Sequence, residues 1–366
     1  MVDWARLRQA MVLEGFEALV ASSYANVFYL SGAAIRTIKS IPLRLALVLV
    51  PLHTPPTMIV CTIEEALARQ QSGIGDIRGY VEFRESPIAL LESTLRERGL
   101  ASARVGIEMT HLAAVWYEDF LRRLPHVALE PCDGLLERLR AIKTPNELLI
   151  LREAAALAQR VIADAVRGVE LGDSEREIAW EIERRAREAG ADGMRFCYVG
   201  IGANSGLIHP APGDRRLGPD DLLRIDAAIY KGVYAADLAC TLLPPSADPE
   251  QRRCHRAVRD AKDEVVRNLI PGVRASELYE VCRGVFASAG LDLWMPHIGH
   301  GIGIDGGHEF PLLEPGNDAR METGMVMCIE PLCTSAKGEA FHFEDMVEVT
   351  PDGARYLSRI DVELGM

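Results

Sequence analysis

Two β-prone runs meet at a Lys231-Gly232 step within residues 223–243, and each run carries one aspartate. A two-residue turn at that step folds the runs into a hairpin. Positions equidistant from the turn then face each other. Asp226 and Asp237 are such a pair, with Cβ atoms about 5 Å apart on one face. Carboxylates that close repel, and one keeps its proton unless a positive charge lies between them. A divalent cation removes the conflict. Taken alone, the pair also fits a solvated hairpin of an acidic chain.

The chain is acidic. It has 366 residues, with 40 Lys and Arg against 53 Asp and Glu, a formal net charge of −13. Such a surface repels phosphate backbones, so no nucleic-acid partner is expected. The longest apolar run, 45–52, has the length of a strand. It falls far short of the about 20 residues that span a bilayer, so no membrane segment is expected. The N-terminal residues place Asp3 before any apolar stretch and do not form a signal peptide. Eight scattered cysteines without CxxC pairs then suit reduced thiols in a cytoplasmic protein.

A second acidic pair repeats the geometry. Glu330 and Glu344 flank Ala336-Lys337-Gly338, a three-residue loop with glycine at its left-handed position. Glu330 ends the apolar run 325–329, and a glutamate closing a buried strand calls for a partner. Pro331 interrupts the ladder, because proline cannot donate to it. Between the two pairs lies the segment 297–311, with five glycines and with His297, His300 and His308. The spacing and lysine of a phosphate-binding loop are missing. Three imidazoles so close favour a metal or catalytic site. His209, before Pro210, reads locally as an ordinary loop histidine. Four carboxylates and an imidazole suit Mn²⁺, Co²⁺, Fe²⁺ or Zn²⁺. Two such ions, about 3.5–4 Å apart, hold a bridging hydroxide and polarise a carbonyl.

The organisation of the chain is α/β, of the α+β kind. Short apolar runs at 17–21, 43–50, 57–61, 80–84 and 104–108 alternate with helical patterns at 4–14, 88–98 and 112–124, which predicts one mixed sheet. Near residue 144 the pattern changes. Thr144-Pro145-Asn146-Glu147, Ser174-Glu175-Arg176-Glu177 and Asp248-Pro249-Glu250-Gln251 each read as a helix start with an acceptor N-cap and Glu or Gln three residues later. The boundary is expected at about residue 140, giving domains 1–140 and 141–366.

The ordered set Asp226, Asp237, His300, Glu330 and Glu344 resembles the metal ligands of the pita-bread metallopeptidases, the group of methionine aminopeptidases, Xaa-Pro aminopeptidases, prolidases and creatinases. The segments 299–303, His308-Glu309-Phe310-Pro311, Glu330-Pro331 and Glu344-Asp345 carry the likeness, with His209 in its Asn204-containing loop. Residues 25–32 and 141–147 are similar to the creatinase-type N-terminal domain and to the linker that follows it. The resemblance implies a pita-bread catalytic domain preceded by a creatinase-like mixed α/β domain. It implies two divalent ions, Mn²⁺ or Co²⁺ ahead of Zn²⁺ or Fe²⁺. Asp226 would bind one ion, His300 and Glu330 the other, and Asp237 and Glu344 both. His209 and His308 would contact substrate and stabilise the tetrahedral intermediate, with Glu330 as proton shuttle.

The implied reaction is hydrolysis of a C–N bond, foremost the Xaa-Pro bond of dipeptides or peptide N-termini, in a homodimer. A creatinase-like hydrolase of a non-peptide amide or amidine is the alternative, and a non-catalytic scaffold the second. Departures from the family pattern fall beside the ligands: Ala228, Ala239, Cys240 and His342 replace glycine, threonine, arginine and arginine. His297 and His342 are therefore candidates for the substrate wall.

Overall fold

The computed structural model describes residues 2–362. By its own contacts the chain divides into two compact units, one ending at Arg140 and one beginning at Ala141.

The first unit is built on β1 (Ala18–Ala21), β2 (Leu47–Pro51), β3 (Thr57–Cys61), β4 (Asp76–Tyr80), β5 (Arg104–Ile107) and β6 (Ala128–Pro131). They form one six-stranded sheet in the order β4-β3-β2-β1-β5-β6. The β1–β2 and β2–β3 pairs are antiparallel and the outer pairs parallel, the expected mixed sheet. Strands β1, β2 and β3, apolar but for Thr57, are buried along their whole length, as strands covered on both faces must be. Leu91, Leu95 and Phe120, from the helices Pro87–Glu97 and Ala114–Arg123, join Val20, Leu49, Ile59 and Val105 in one core.

The strand expected at 80–84 lies earlier, at β4. Its parallel pairing with β3 runs from Thr57↔Asp76 to Cys61↔Tyr80. Beyond Tyr80 the chain turns, with the Arg84 amide on the Val81 carbonyl at 3.1 Å. Phe83 then stands 95% exposed at φ 65°. Strand β6 and the helix Tyr24–Ser31 are additions to the expected elements. Edge strand β6 is largely exposed, so it carries no apolar run to betray it.

The second unit contains the catalytic-looking residues. The three expected helix starts are present as full capping boxes at Thr144, Ser174 and Asp248. Their helices, Pro145–Val166, Glu175–Glu188 and Pro249–Asn268, pack against strands of this unit. Strands β7 (Gly193–Ile201), β8 (Leu223–Lys231) and β9 (Tyr234–Leu242) form an antiparallel sheet. A second sheet has the order β11-β10-β12-β15-β16, from β10 (Gly299–Gly301), β11 (Glu309–Leu312), β12 (Val326–Ile329), β15 (Asp345–Thr350) and β16 (Gly353–Tyr356). Between β12 and β15 the short pair β13 (Leu332–Thr334) and β14 (Ala340–His342) completes a long hairpin. Ala239 and Glu344 exchange backbone hydrogen bonds of 3.2 and 3.0 Å, which join β9 to that hairpin.

Candidate metal centre

The β8–β9 turn differs from the expected one, and the difference moves both aspartates. Lys231 pairs with Tyr234, so Gly232 and Val233 form the two-residue loop. Gly232 takes φ 64°, the left-handed value that a type II′ hairpin requires at its first central position. The register therefore slides by two residues. Asp226 faces Ala239 and Asp237 faces Ala228, so the aspartates are diagonal neighbours rather than directly opposed. A slide of two keeps both on one face. Their oxygens lie within 4.8 Å of each other and of a Glu344 oxygen.

The second hairpin keeps its expected register. Leu332 pairs with His342 and Thr334 with Ala340, and Gly338 closes the loop at φ 80°. The same pairing resumes at Ile329↔Asp345 on the far side of Pro331. Glu330 and Glu344 thus sit where the two short ladders join. Their freedom from ladder bonding leaves the Glu330 amide for the Ile298 carbonyl, at 2.9 Å. That bond draws in the strand of His300, which pairs with Cys328 across β10–β12.

The glycines beside His300 serve this close approach. A Cβ on Gly299 would stand 2.4 Å from the Cys328 carbonyl oxygen, and one on Gly301 the same distance from that of Phe310. The His300 Nδ1–H donates to the Gly301 carbonyl at 2.9 Å, since a carbonyl can only accept. Its Nε2 lone pair faces Glu330 Oε1 at 3.3 Å and Glu344 Oε1 at 3.7 Å. Imidazoles that bind metals are oriented in this way by their second nitrogen.

All five residues of the ordered set are buried, from His300 at 1% exposure to Glu330 at 9%. Burial pushes the Asp237 carboxyl well above the usual carboxylate range, and Asp226 and Glu330 push it further. Burial does the same at Glu344, aided by Asp237, Glu330 and Asp226. Asp226 is also raised by burial, with His342 and Arg224 opposing. At Glu330 burial acts in that direction too, but His342, His300 and His297 overcome it and hold the carboxyl down to about 2. Asp237 Oδ1, Glu330 Oε1 and Glu344 Oε1 are buried oxygens without a hydrogen-bond partner among the described residues. Orphaned acceptors of this kind are costly. Convergent acids with orphaned oxygens and one oriented imidazole fit divalent cations.

The remaining sequence candidates gather at the rim. The His297 and His308 rings lie 4.7 Å apart, and those of His300 and His308 4.5 Å apart. One donor atom each from His297, His308 and Glu330 falls within 4.8 Å. His209 is exposed, 5.0 Å from the Tyr198 ring, and its charge bears on both Asp226 and His308. Cys240 is not beside the cluster. It alternates to the opposite face of β9 from Asp237, where burial pushes its thiol up to about 12.

Two residues that sequence reasoning passed over hold the His209 loop. Glu175 accepts from the Ile201 amide at 2.9 Å, from Asn204 Nδ2 at 2.9 Å and from the Gly213 amide at 3.0 Å. Arg224, only 1% exposed, donates from Nε to the Ser205 carbonyl at 3.0 Å and from Nη2 to that of Ile208. Its Nη1 lies 3.6 Å from Asp226 Oδ2. An arginine inside the apolar run 222–229 was the available signal.

Fold and acid cluster together define a metal-dependent hydrolase of the pita-bread type. Residues 150–351 match the model of metallopeptidase family M24, and residues 4–142 that of the creatinase/prolidase N-terminal domain. The chain belongs to metallopeptidase family M24 and carries that N-terminal domain. It is 28% identical to a Xaa-Pro dipeptidase of Pyrococcus furiosus over 93% of this chain and 92% of the relative. It is 29% identical to a Xaa-Pro dipeptidase of Lactobacillus helveticus over 82% of each. The crystal structure of a dipeptidase from Mycobacterium ulcerans superposes with a TM-score of 0.88 at 26% identity, covering 99% of this chain and 96% of that one. Among the described residues no helix is long and apolar enough to cross a membrane.

Proposed function

We propose that the protein is a dinuclear-metal dipeptidase that hydrolyses the bond between a residue and a following proline. The observation that carries this reading is the convergence of Asp226, Asp237, His300, Glu330 and Glu344 around buried oxygens without hydrogen-bond partners. Relatives that match over 82–93% of this chain and are named Xaa-Pro dipeptidases support the substrate. Asp226 would hold one ion, His300 and Glu330 the other, and Asp237 and Glu344 both. When bound, two such ions make water nucleophilic near neutral pH and polarise the scissile carbonyl.

The chain's own residues supply the rest. Water's oxygen bonds to the carbonyl carbon, the C–N bond breaks, and the leaving nitrogen takes a proton. Glu330, ionised at neutral pH, accepts that proton from the attacking water and returns it to the nitrogen. His209 and His308, at the rim, donate hydrogen bonds to the oxygen that gains charge. Mn²⁺ or Co²⁺ is the expected metal, and a homodimer the expected assembly. All eight cysteines are free, which suits the reducing cytoplasm.

The test is a kinetic panel of Xaa-Pro dipeptides, longer Xaa-Pro peptides and small amides after loading with Mn²⁺ or Co²⁺. Dipeptides should turn over fastest, and Asp237→Ala should abolish both metal content and turnover. No cleavage of any proline substrate by the metal-loaded protein would refute the reading. Turnover of small amides alone would favour the creatinase-like alternative.

A further inference from the structure

His342 is the cluster's least expected member. It is 3% exposed and buried among carboxylates. Its Nδ1 lies 3.7 Å from Asp226 Oδ2 and its Nε2 3.7 Å from Glu330 Oε2. Both distances are too long for hydrogen bonds. Neither nitrogen has a hydrogen-bond partner among the described residues. One donor atom each from Glu330, His342 and Glu344 falls within 4.8 Å of the others.

The ring is not there by accident of a loose loop. Its backbone is pinned between Leu332 of β13 and the Thr241 hydroxyl, which accepts from the His342 amide at 2.9 Å and donates to its carbonyl at 3.2 Å. Such support fixes where the imidazole can point. A buried imidazole with two unsatisfied nitrogens is costly, and two buried carboxylates beside it are costlier still. Donors on one cation, with bonds of about 2.1 Å, stand roughly 3–3.5 Å apart. The spacing found between His342 and Glu330 is only slightly wider.

We propose that His342 is itself a metal donor, a second nitrogen that joins Glu330 and Glu344 in holding one divalent cation. The inference rests on reading the cluster as a metal centre. It turns an oxygen-dominated cage into one with imidazoles from two different strands, His300 and His342. Nitrogen donors favour the later divalent ions, so Co²⁺ and Zn²⁺ gain more from His342 than Mn²⁺ does.

The experiment compares the metal-stripped full-length protein with its His342→Gln and His342→Ala variants. Each is titrated calorimetrically with Co²⁺, Zn²⁺ and Mn²⁺, and the visible spectrum of each Co²⁺ form is recorded. Circular dichroism and melting of the stripped proteins establish that the variants fold, and the larger glutamine covers a collapse of the alanine site. The wild type should take up two ions. Both variants should weaken one binding step for Co²⁺ and Zn²⁺ by at least about tenfold, Mn²⁺ less, with a shifted Co²⁺ band. Unchanged affinities and an unchanged band in a folded variant overturn the inference, and so does an equal loss for all three metals without a spectral change. A wild type that binds no divalent ion fails earlier, at the metal-centre reading itself.

Discussion

Replacing Arg224 with methionine keeps most of the side chain's length and removes its charge. The cost can be worked from its contacts. The guanidinium donates to the Ser205 and Ile208 carbonyls and faces Asp226 at 3.6 Å. At 1% exposure, water cannot take over these bonds. Each hydrogen bond to a charged group is worth about 1.5–3 kcal/mol. Removing one partner of a buried ion pair costs about 3–5 kcal/mol. The contacts share one guanidinium and overlap, so Arg224→Met should destabilise this unit by about 3–5 kcal/mol in all. For a unit of this size each kcal/mol moves the melting midpoint by roughly 2–4 °C, which gives a drop of about 6–20 °C. The loop so released carries Ile208, at φ 47°, and His209 directly after it. Misplacing a catalytic group by about 1 Å costs on the order of 100-fold in rate, so kcat should fall by that order. Thermal melts of the metal-stripped chain and steady-state kinetics of the loaded enzyme read the two effects. A midpoint within 2 °C of wild type (about 1 kcal/mol or less by the same conversion) together with an unchanged kcat would refute the argument.

Three further outcomes are expected. Burial holds the His255 imidazole down to about 4, with its ring edge-on to Phe343 at 4.9 Å. The folded state therefore binds fewer protons than the unfolded chain between about pH 6.5 and 4, so this contribution is complete above that window and lost as pH falls through it. It amounts to about 3 kcal/mol, and His255→Gln should flatten the acid limb of a melting-temperature profile; a profile of unchanged steepness would contradict this. A Cβ on Gly206 would stand 2.0 Å from the Gly338 carbonyl oxygen, so Gly206→Ala should push the His209 loop off the β13–β14 turn and cost about 1–3 kcal/mol, seen as a lowered midpoint. Chelation should lower the melting midpoint of the loaded enzyme, since a cation at 100 times its Kd contributes about 2.7 kcal/mol, and Asp237→Asn should abolish that difference.

Much of the architecture was legible because local chemistry carried it. An acceptor N-cap with Glu or Gln three residues later announces a helix whatever surrounds it, and proline at the first helical position adds to the signal at Pro145 and Pro249. All three such starts stand where Thr144, Ser174 and Asp248 put them. Strands β1 and β3 announced themselves by continuous apolar runs. Edge strand β6 did not, because an exposed edge needs no such run. The identities in the acid cluster were equally plain, since four carboxylates and a glycine-flanked histidine restrict the chemistry before any geometry is known.

Other features belong to the tertiary structure alone. The β8–β9 register depends on which residue of the turn takes a positive φ, and Lys231-Gly232-Val233 allows two answers until the strands pack. That Arg224 turns inward to hold a loop 16 to 19 residues away, and that His342 points both nitrogens at acids from two hairpins, are facts of burial. The chain determined which groups could gather cations, because donor chemistry resides in single residues. The folded molecule decided which of them meet and which lose their water, because desolvation and distance are properties of pairs that only packing creates.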